Sequence, residues 1–414
     1  MVEIFIVAVA IFGYAMISES AENSVITAPM FFTTVGLVVG KGGFGWFDLD
    51  LGGEAVAILV EATLALVLFV DAVRIDIGAL RRDVGVPTRL LGISLPLTVV
   101  TGTGLALLLF GEFSLVEAAL LAAVLTPTDA ALGRAVVSDP RLPARVRQSL
   151  NVESGLNDGI MVPVVTVLLA VVASEQLEGG ATKFAFDQIG FGLLGGLIVG
   201  LIGALILRRR AVQRQVVGVY RQLATVSVAG GAFAAAILFD GNGFLAAFVA
   251  GLVFGRLAGP SCQDVVEFTE DEGELLSAIT FILFGAVLVG PLLDDLTWQI
   301  AVHALGSLTV VRMVPTLIAM FGTGTLMETR LFAGWFGPRG LASILFALLI
   351  LEEQETVVTE QIFAIAMWTV LASVFLHGVT ANPWSGRLAA RLRESGDTAE
   401  LEPMVEMPTR RGPI

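Results

Sequence analysis

Residues 151–159 read NVESGLNDG, which sets Glu153, Ser154, Asn157 and Asp158 within about one and a half helical turns of one another. Upstream, TPTDA (126–130) carries Asp129, and downstream the chain offers Arg312 and, within GPRG, Arg339. All of them interrupt apolar runs. Ionisable groups are expensive in hydrocarbon and are retained there for function. On a helix Glu153 and Asn157 share one face, while Ser154 and Asp158 share another about 100° round. The second stripe, together with Asp129 and a carbonyl freed near Thr128 by Pro127, supplies only oxygens, the ligands that hard cations take. No cysteine or histidine is near enough in sequence to point to a transition metal. A buried carboxylate needs either a proton or a cation beside it. A single site with those two mutually exclusive occupants meets the physical requirement for exchanging one against the other. Glu153 needs a partner of its own, and Arg312 is the unassigned cation. The spacing therefore predicts a Glu153–Arg312 ion pair, joined by the Asn157 amide, that orients the helix. Arg339 is expected to offset the negative carbonyl ends of interrupted helices.

Those residues must be held by spans that are broken. LLAAVLTPTDAALGRAVV has Pro127 at its centre, and LFAGWFGPRGLASILFALL has Gly337, Pro338 and Gly340. Proline removes a donor and clashes with the preceding turn, and in lipid the freed backbone groups need other partners. Ordinary proline kinks would look similar singly. Here two breaks, each with a charge at its edge, lie 210 residues apart, about half the chain. Paired interrupted spans in inverted halves mark a transporter's binding site.

The composition fits a membrane setting. Of 414 residues 56% are hydrophobic and 15% charged, and the mean hydropathy is +0.86; soluble domains carry about 25% charged residues. Thirteen spans fit, at about 2–18, 23–40, 54–72, 88–110, 114–137, 146–174, 184–207, 215–240, 242–258, 272–291, 297–321, 330–352 and 358–380. The fold class read from this is an all-α polytopic membrane protein, two inverted repeats with the fifth and twelfth spans broken and crossing at mid-membrane. With the N-terminus outside, twenty arginines fall on the inner side, and only Lys41 and Lys183 on the outer. That asymmetry sets an inside C-terminus. The amino-terminal stretch lacks a positive start and carries Glu3, so it reads as the first span rather than a signal peptide. A net charge of −14 excludes a nucleic-acid-binding role, and the single Cys262 excludes an internal disulfide.

Several other groups carry less. Asp71 and Arg74 read as interfacial, Glu61 as a group facing a neighbour. His303 and His377 read as satisfied structural histidines. FTEDEGE (267–273) reads as a solvated loop, and the polar stretch from about Asn382 as a mobile tail.

TPTDA, ESGLNDG (153–159) and GWFGPRGLAS (334–343), in that order, resemble the monovalent cation:proton antiporters. Asn157–Asp158 is similar to the branch that includes prokaryotic NhaP-type and animal sodium/proton exchangers, and SVFLHGVTANP (373–383) looks like the end of that family's last helix. The resemblance spans nearly the whole membrane chain. It implies a homodimer in the plasma membrane with a role in pH homeostasis. It also implies a division into 1–87 (dimerisation part), 88–175 (core), 176–296 (linker helix and dimerisation part), 297–381 (core) and 382–414 (cytoplasmic tail). It implies transported sodium or lithium held by Asp129, Asp158, Ser154, the Thr128 carbonyl and, through water, Glu153, with no further cofactor. It implies electroneutral one-for-one exchange, because the related electrogenic branch has an aspartate where this chain has Asn157. Potassium/proton exchange, a cation channel and an intramembrane aspartyl hydrolase are the competing readings. Neither a selectivity filter nor a protease-like motif accompanies the carboxylates.

Overall fold

The computed structural model describes residues 2–22, 24–47, 54–75, 85–173, 180–212, 219–258, 263–353, 356–395 and 399–401. Arg81, Arg82, Arg214, Arg410 and Arg411, which entered the orientation count, lie outside them. Among the described residues all regular structure is helical. The helices are α1 (Val2–Glu22), α2 (Ala28–Val39), α3 (Glu54–Val73), α4 (Gly85–Leu109), α5 (Leu115–Val124), α6 (Arg134–Val137), α7 (Ala144–Val172) and α8 (Gly180–Val212). There follow α9 (Val219–Ile237), α10 (Gly243–Ala258), α11 (Gln263–Leu283), α12 (Trp298–Ala319), α13 (Met327–Trp335), α14 (Leu341–Glu353) and α15 (Val357–Glu394). Among the described residues seven helices are long and apolar enough to cross hydrocarbon, and five shorter apolar helices accompany them. Large apolar side chains such as Phe5, Phe12, Leu108, Leu197 and Ile206 face outward, as a lipid solvent permits.

The chain divides into two units. The first comprises residues 1–59, 84–154 and 277–414. One of its cores joins Val136 and Val137 of α6, Val146 and Leu150 of α7, Phe332 of α13, and Leu388 and Leu392 of α15. The second comprises residues 60–83 and 155–276. Its core brings Phe69 of α3 against Ala204 of α8, Ala232 of α9 and Phe254 of α10. In it α8 and α10 approach through small residues, Gly196 and Gly200 meeting Ala246 and Ala250, the close packing that membrane helices favour.

The two broken spans are broken. α5 ends at Val124, and the chain runs without regular helix to Gly133 before α6. α13 ends at Trp335, and residues 336–340 are irregular before α14. Two expectations need correction. FTEDEGE belongs to α11, not to a loop; Glu is a good helix former. The stretch after Asn382 continues α15 to Glu394, with Pro383 inside the helix. The cause is a buried stripe, Ala381, Ser385, Leu388, Ala389 and Leu392, whose helical spacing continues the packed face. Residues 396–398 and 402–414 of the expected tail lie outside the described residues.

Candidate functional site

The two breaks meet and exchange hydrogen bonds. The Asp129 amide donates to the Pro338 carbonyl at 2.8 Å, a direct main-chain link between them. A helix C-terminus leaves carbonyls without partners and an N-terminus leaves N–H groups. At the end of α5 the other break supplies donors. Ser343 Oγ donates to the Val124 carbonyl at 2.8 Å. Arg339 Nη1 donates to the carbonyls of Thr126, at 2.5 Å, and Pro127, at 3.3 Å. At the start of α14 the debt runs the other way, and the Leu341 amide donates to Asp129 Oδ2 at 2.8 Å. Asp129 Oδ1 accepts from the amides of Ala131 and Leu132 at 2.7 and 3.3 Å. So the cation sits against helix carbonyls and the anion against helix amides, the arrangement that complements the peptide dipoles. The approach is tight: a Cβ at Gly340 would collide with the Asp129 carboxylate.

Ser154, on α7, donates its hydroxyl to the Thr128 carbonyl. These two expected oxygen ligands thus face each other across the first break. Beside them is a cavity of about 10 Å³ whose walls include Thr128, Asp129, Ala130, Ser154, Phe336 and Pro338. That is room for one water-sized occupant.

On the next face of α7, Arg312 and Glu153 form a two-pronged pair, Nη1 to Oε1 at 2.5 Å and Nη2 to Oε2 at 2.7 Å. Both side chains are 1% exposed, so neither charge is solvated by water. A π-helical segment, Ser307–Val311, immediately precedes Arg312. Thr316 Oγ1 bonds the Arg312 carbonyl at 2.9 Å and lies 3.0 Å from Ser94 Oγ on α4.

α15 braces the second break. The Arg339 amide donates to Ser373 Oγ at 2.7 Å. The His377 ring stands between Ser373, whose carbonyl and Oγ lie 2.9 and 3.1 Å from Nδ1, and the Trp335 carbonyl, 2.9 Å from Nε2. Ser343, Ser373 and His377 therefore hold the crossing; His377 is a satisfied structural histidine, as expected, whereas no role was expected for either serine. The expectation for His303 changes: its buried ring makes no hydrogen bond and packs on Phe110, with centroids 5.8 Å apart. Asn157 and Asp158 follow on α7, buried at 0% and 6% exposure, in the second unit.

The profile of a family described as "Sodium/hydrogen exchanger, transmembrane" matches residues 6–386. A protein named K(+)/H(+) antiporter NhaP, from Alkalimonas amylolytica, is 24% identical over 79% of this chain and 57% of its own length. K(+)/H(+) antiporter NhaP2 of Shewanella baltica is 24% identical over 90% of this chain and 64% of its own. The chain thus spans about three fifths of the length of these relatives. In fold it is similar to the sodium proton antiporter MjNhaP1 from Methanocaldococcus jannaschii, at a TM-score of 0.74 and 19% identity, over 94% of this chain and 98% of that one.

Proposed function

Because the chain belongs to the sodium/hydrogen exchanger family of monovalent cation:proton antiporters, we propose that it is a secondary active antiporter. It exchanges sodium or lithium for a proton, one for one, and is not an enzyme. The observation that carries this reading is the crossing of the two breaks, where Thr128, Asp129 and Ser154 converge on a cavity sized for one small occupant. Asp158, one turn beyond Ser154 on α7, completes the oxygen set in this reading. Glu153 contributes through water and otherwise orients α7.

Charge bookkeeping supports the stoichiometry. Arg312 neutralises Glu153 in a buried two-pronged pair, and in this reading Asp158 carries the negative charge that is exchanged. One proton or one monovalent cation neutralises it. Asn157 supplies no further charge, which makes the cycle electroneutral. The proposed architecture is thirteen spans in two inverted repeats, N-terminus outside. Residues 88–175 and 297–381 form the moving core, 1–87 and 176–296 the dimerisation part of a homodimer in the plasma membrane, and 382–414 the cytoplasmic tail.

The printed names of two relatives give a second reading, potassium for proton exchange. Proteoliposomes holding a pH-sensitive dye separate the readings. An inward sodium or lithium gradient should drive protons out without generating a membrane potential. A response to potassium alone assigns the second reading, and a strong dependence of rate on a clamped potential overturns electroneutrality.

A further inference from the structure

At the end of α15 lies an open pocket unconnected with the crossing. Its volume is about 530 Å³, and its walls include Ser24, Val25, Arg141, Asn382, Gly386 and Arg387. The depth of this pocket follows from the helix. Glu360 and Gln361 stand in the first turn of α15, and Gln361 bonds Glu112 at an exposed position. The apolar stretch begins at Ile362, and about twenty residues cross the hydrocarbon. Asn382 to Arg387 then lie in the next 8 Å or so, the layer of lipid headgroups.

Arg141 is held in place for a task that its fixed bonds do not consume. Its Nε lies 2.9 Å from Asp139 Oδ1, and its Nη2 donates to Asp139 Oδ2 at 2.6 Å and to Asn382 Oδ1 at 2.7 Å. Asn382 Nδ2 reaches the Ser24 carbonyl at 3.4 Å, which ties the α1–α2 turn to the same framework. Nη1 makes none of these bonds. It lies 3.5 Å from where a side chain at Gly386 would begin, so the missing side chain leaves it open to the pocket. Arg387, the next residue, is exposed beside it. Two arginines and Asp139 sum to +1, the complement of a phosphodiester. Arginine's fork suits phosphate oxygens, and Val25 and Ile26, 40% and 47% exposed, offer apolar flanks for an acyl chain.

We propose that this pocket binds the headgroup phosphodiester of an anionic phospholipid, with Arg141 Nη1 and Arg387 as its donors. Basic pockets at the headgroup level of membrane helices recognise lipids in this way. The lipid then becomes a wedge between the α1–α2 turn and the end of α15.

The test is native mass spectrometry of the delipidated full chain with added phosphatidylglycerol or phosphatidylcholine, alongside Arg387→Gln and Gly386→Leu. The first variant removes an exposed charge, and the second fills the space before Nη1 without touching either arginine. The native chain should retain phosphatidylglycerol about tenfold better than phosphatidylcholine, and each variant should lose about that factor, the worth of one charge-assisted contact. Equal phosphatidylglycerol retention by both variants and the native chain overturns the proposal. Inorganic phosphate is the remaining arm. If it protects the native chain against heating as well as the lipid does, and the variants abolish that protection, the site is for a free anion and the lipid assignment falls.

Discussion

Removing the Arg312 guanidinium strips Glu153 of both charged donors, at 2.5 and 2.7 Å, in a place where the carboxylate is 1% exposed. Arg312→Ala therefore strands a charge that water cannot reach. Hydrogen bonds to charged groups contribute about 1.5–3 kcal/mol each, and breaking a buried pair from one side costs about 3–5 kcal/mol. Glu153→Gln keeps a neutral acceptor for one prong and should cost about 1.5–3 kcal/mol. Combining the two removes the stranded charge as well, so the double variant should be more stable than Arg312→Ala alone. The expected coupling is about 2 kcal/mol or more, well outside the additivity of independent sites. Equilibrium unfolding in mixed micelles measures each corner of the cycle. Cation KM of the folded fraction of Arg312→Ala, measured in vesicles, should change by less than about threefold, under about 0.7 kcal/mol, because Arg312 orients α7 rather than holding the ion. Costs that add within about 0.5 kcal/mol would refute the buried-pair reasoning. A large KM change with native stability would move Arg312 from orienting to binding.

Asp129→Asn and Asp158→Asn should each abolish dye-reported exchange while the protein stays folded by size-exclusion chromatography; normal transport by either removes that residue from the site. Gly340→Ala drives a methyl into the Asp129 carboxylate and should cut turnover at least about tenfold, about 1.4 kcal/mol, with little loss of folded yield; an unaffected rate would show that the crossing tolerates displacement. The rate of exchange should fall at low pH, where protons occupy the carboxylate and exclude the cation, and at high pH, where protons for the return leg are scarce. A flat profile across several pH units contradicts a shared site.

The site was legible where chemistry in hydrocarbon left few choices. Pro127, Pro338 and their charges announced the breaks, because nothing else makes such residues tolerable mid-span. Arg312 was paired with Glu153 by elimination. The braces were not legible. A serine in a helix ordinarily bonds its own preceding turn, so nothing in the string marks Ser343 or Ser373 as reaching another element. The π-helical segments Leu90–Ser94, Phe284–Val289 and Ser307–Val311 change helical phase without any local residue signal. The extent of α15 was misread because polarity and Pro383 outweighed a stripe whose partners, Phe332 and Val146 among them, lie far away in sequence.

The reciprocal bonds at the crossing also constrain how the protein is made. When α5 enters the bilayer, the groups that satisfy its end, Arg339 and Ser343, are still some 210 residues from being synthesised. At about 5–20 residues per second that delay is about 10–40 seconds. Through it the first break lacks the donors that Arg339 and Ser343 bring to its carbonyls and the Leu341 amide that completes the bonds of Asp129. Insertion of the first break is thus provisional until the second arrives, and a ribosome stalled between them should leave a fragment that membrane quality control removes.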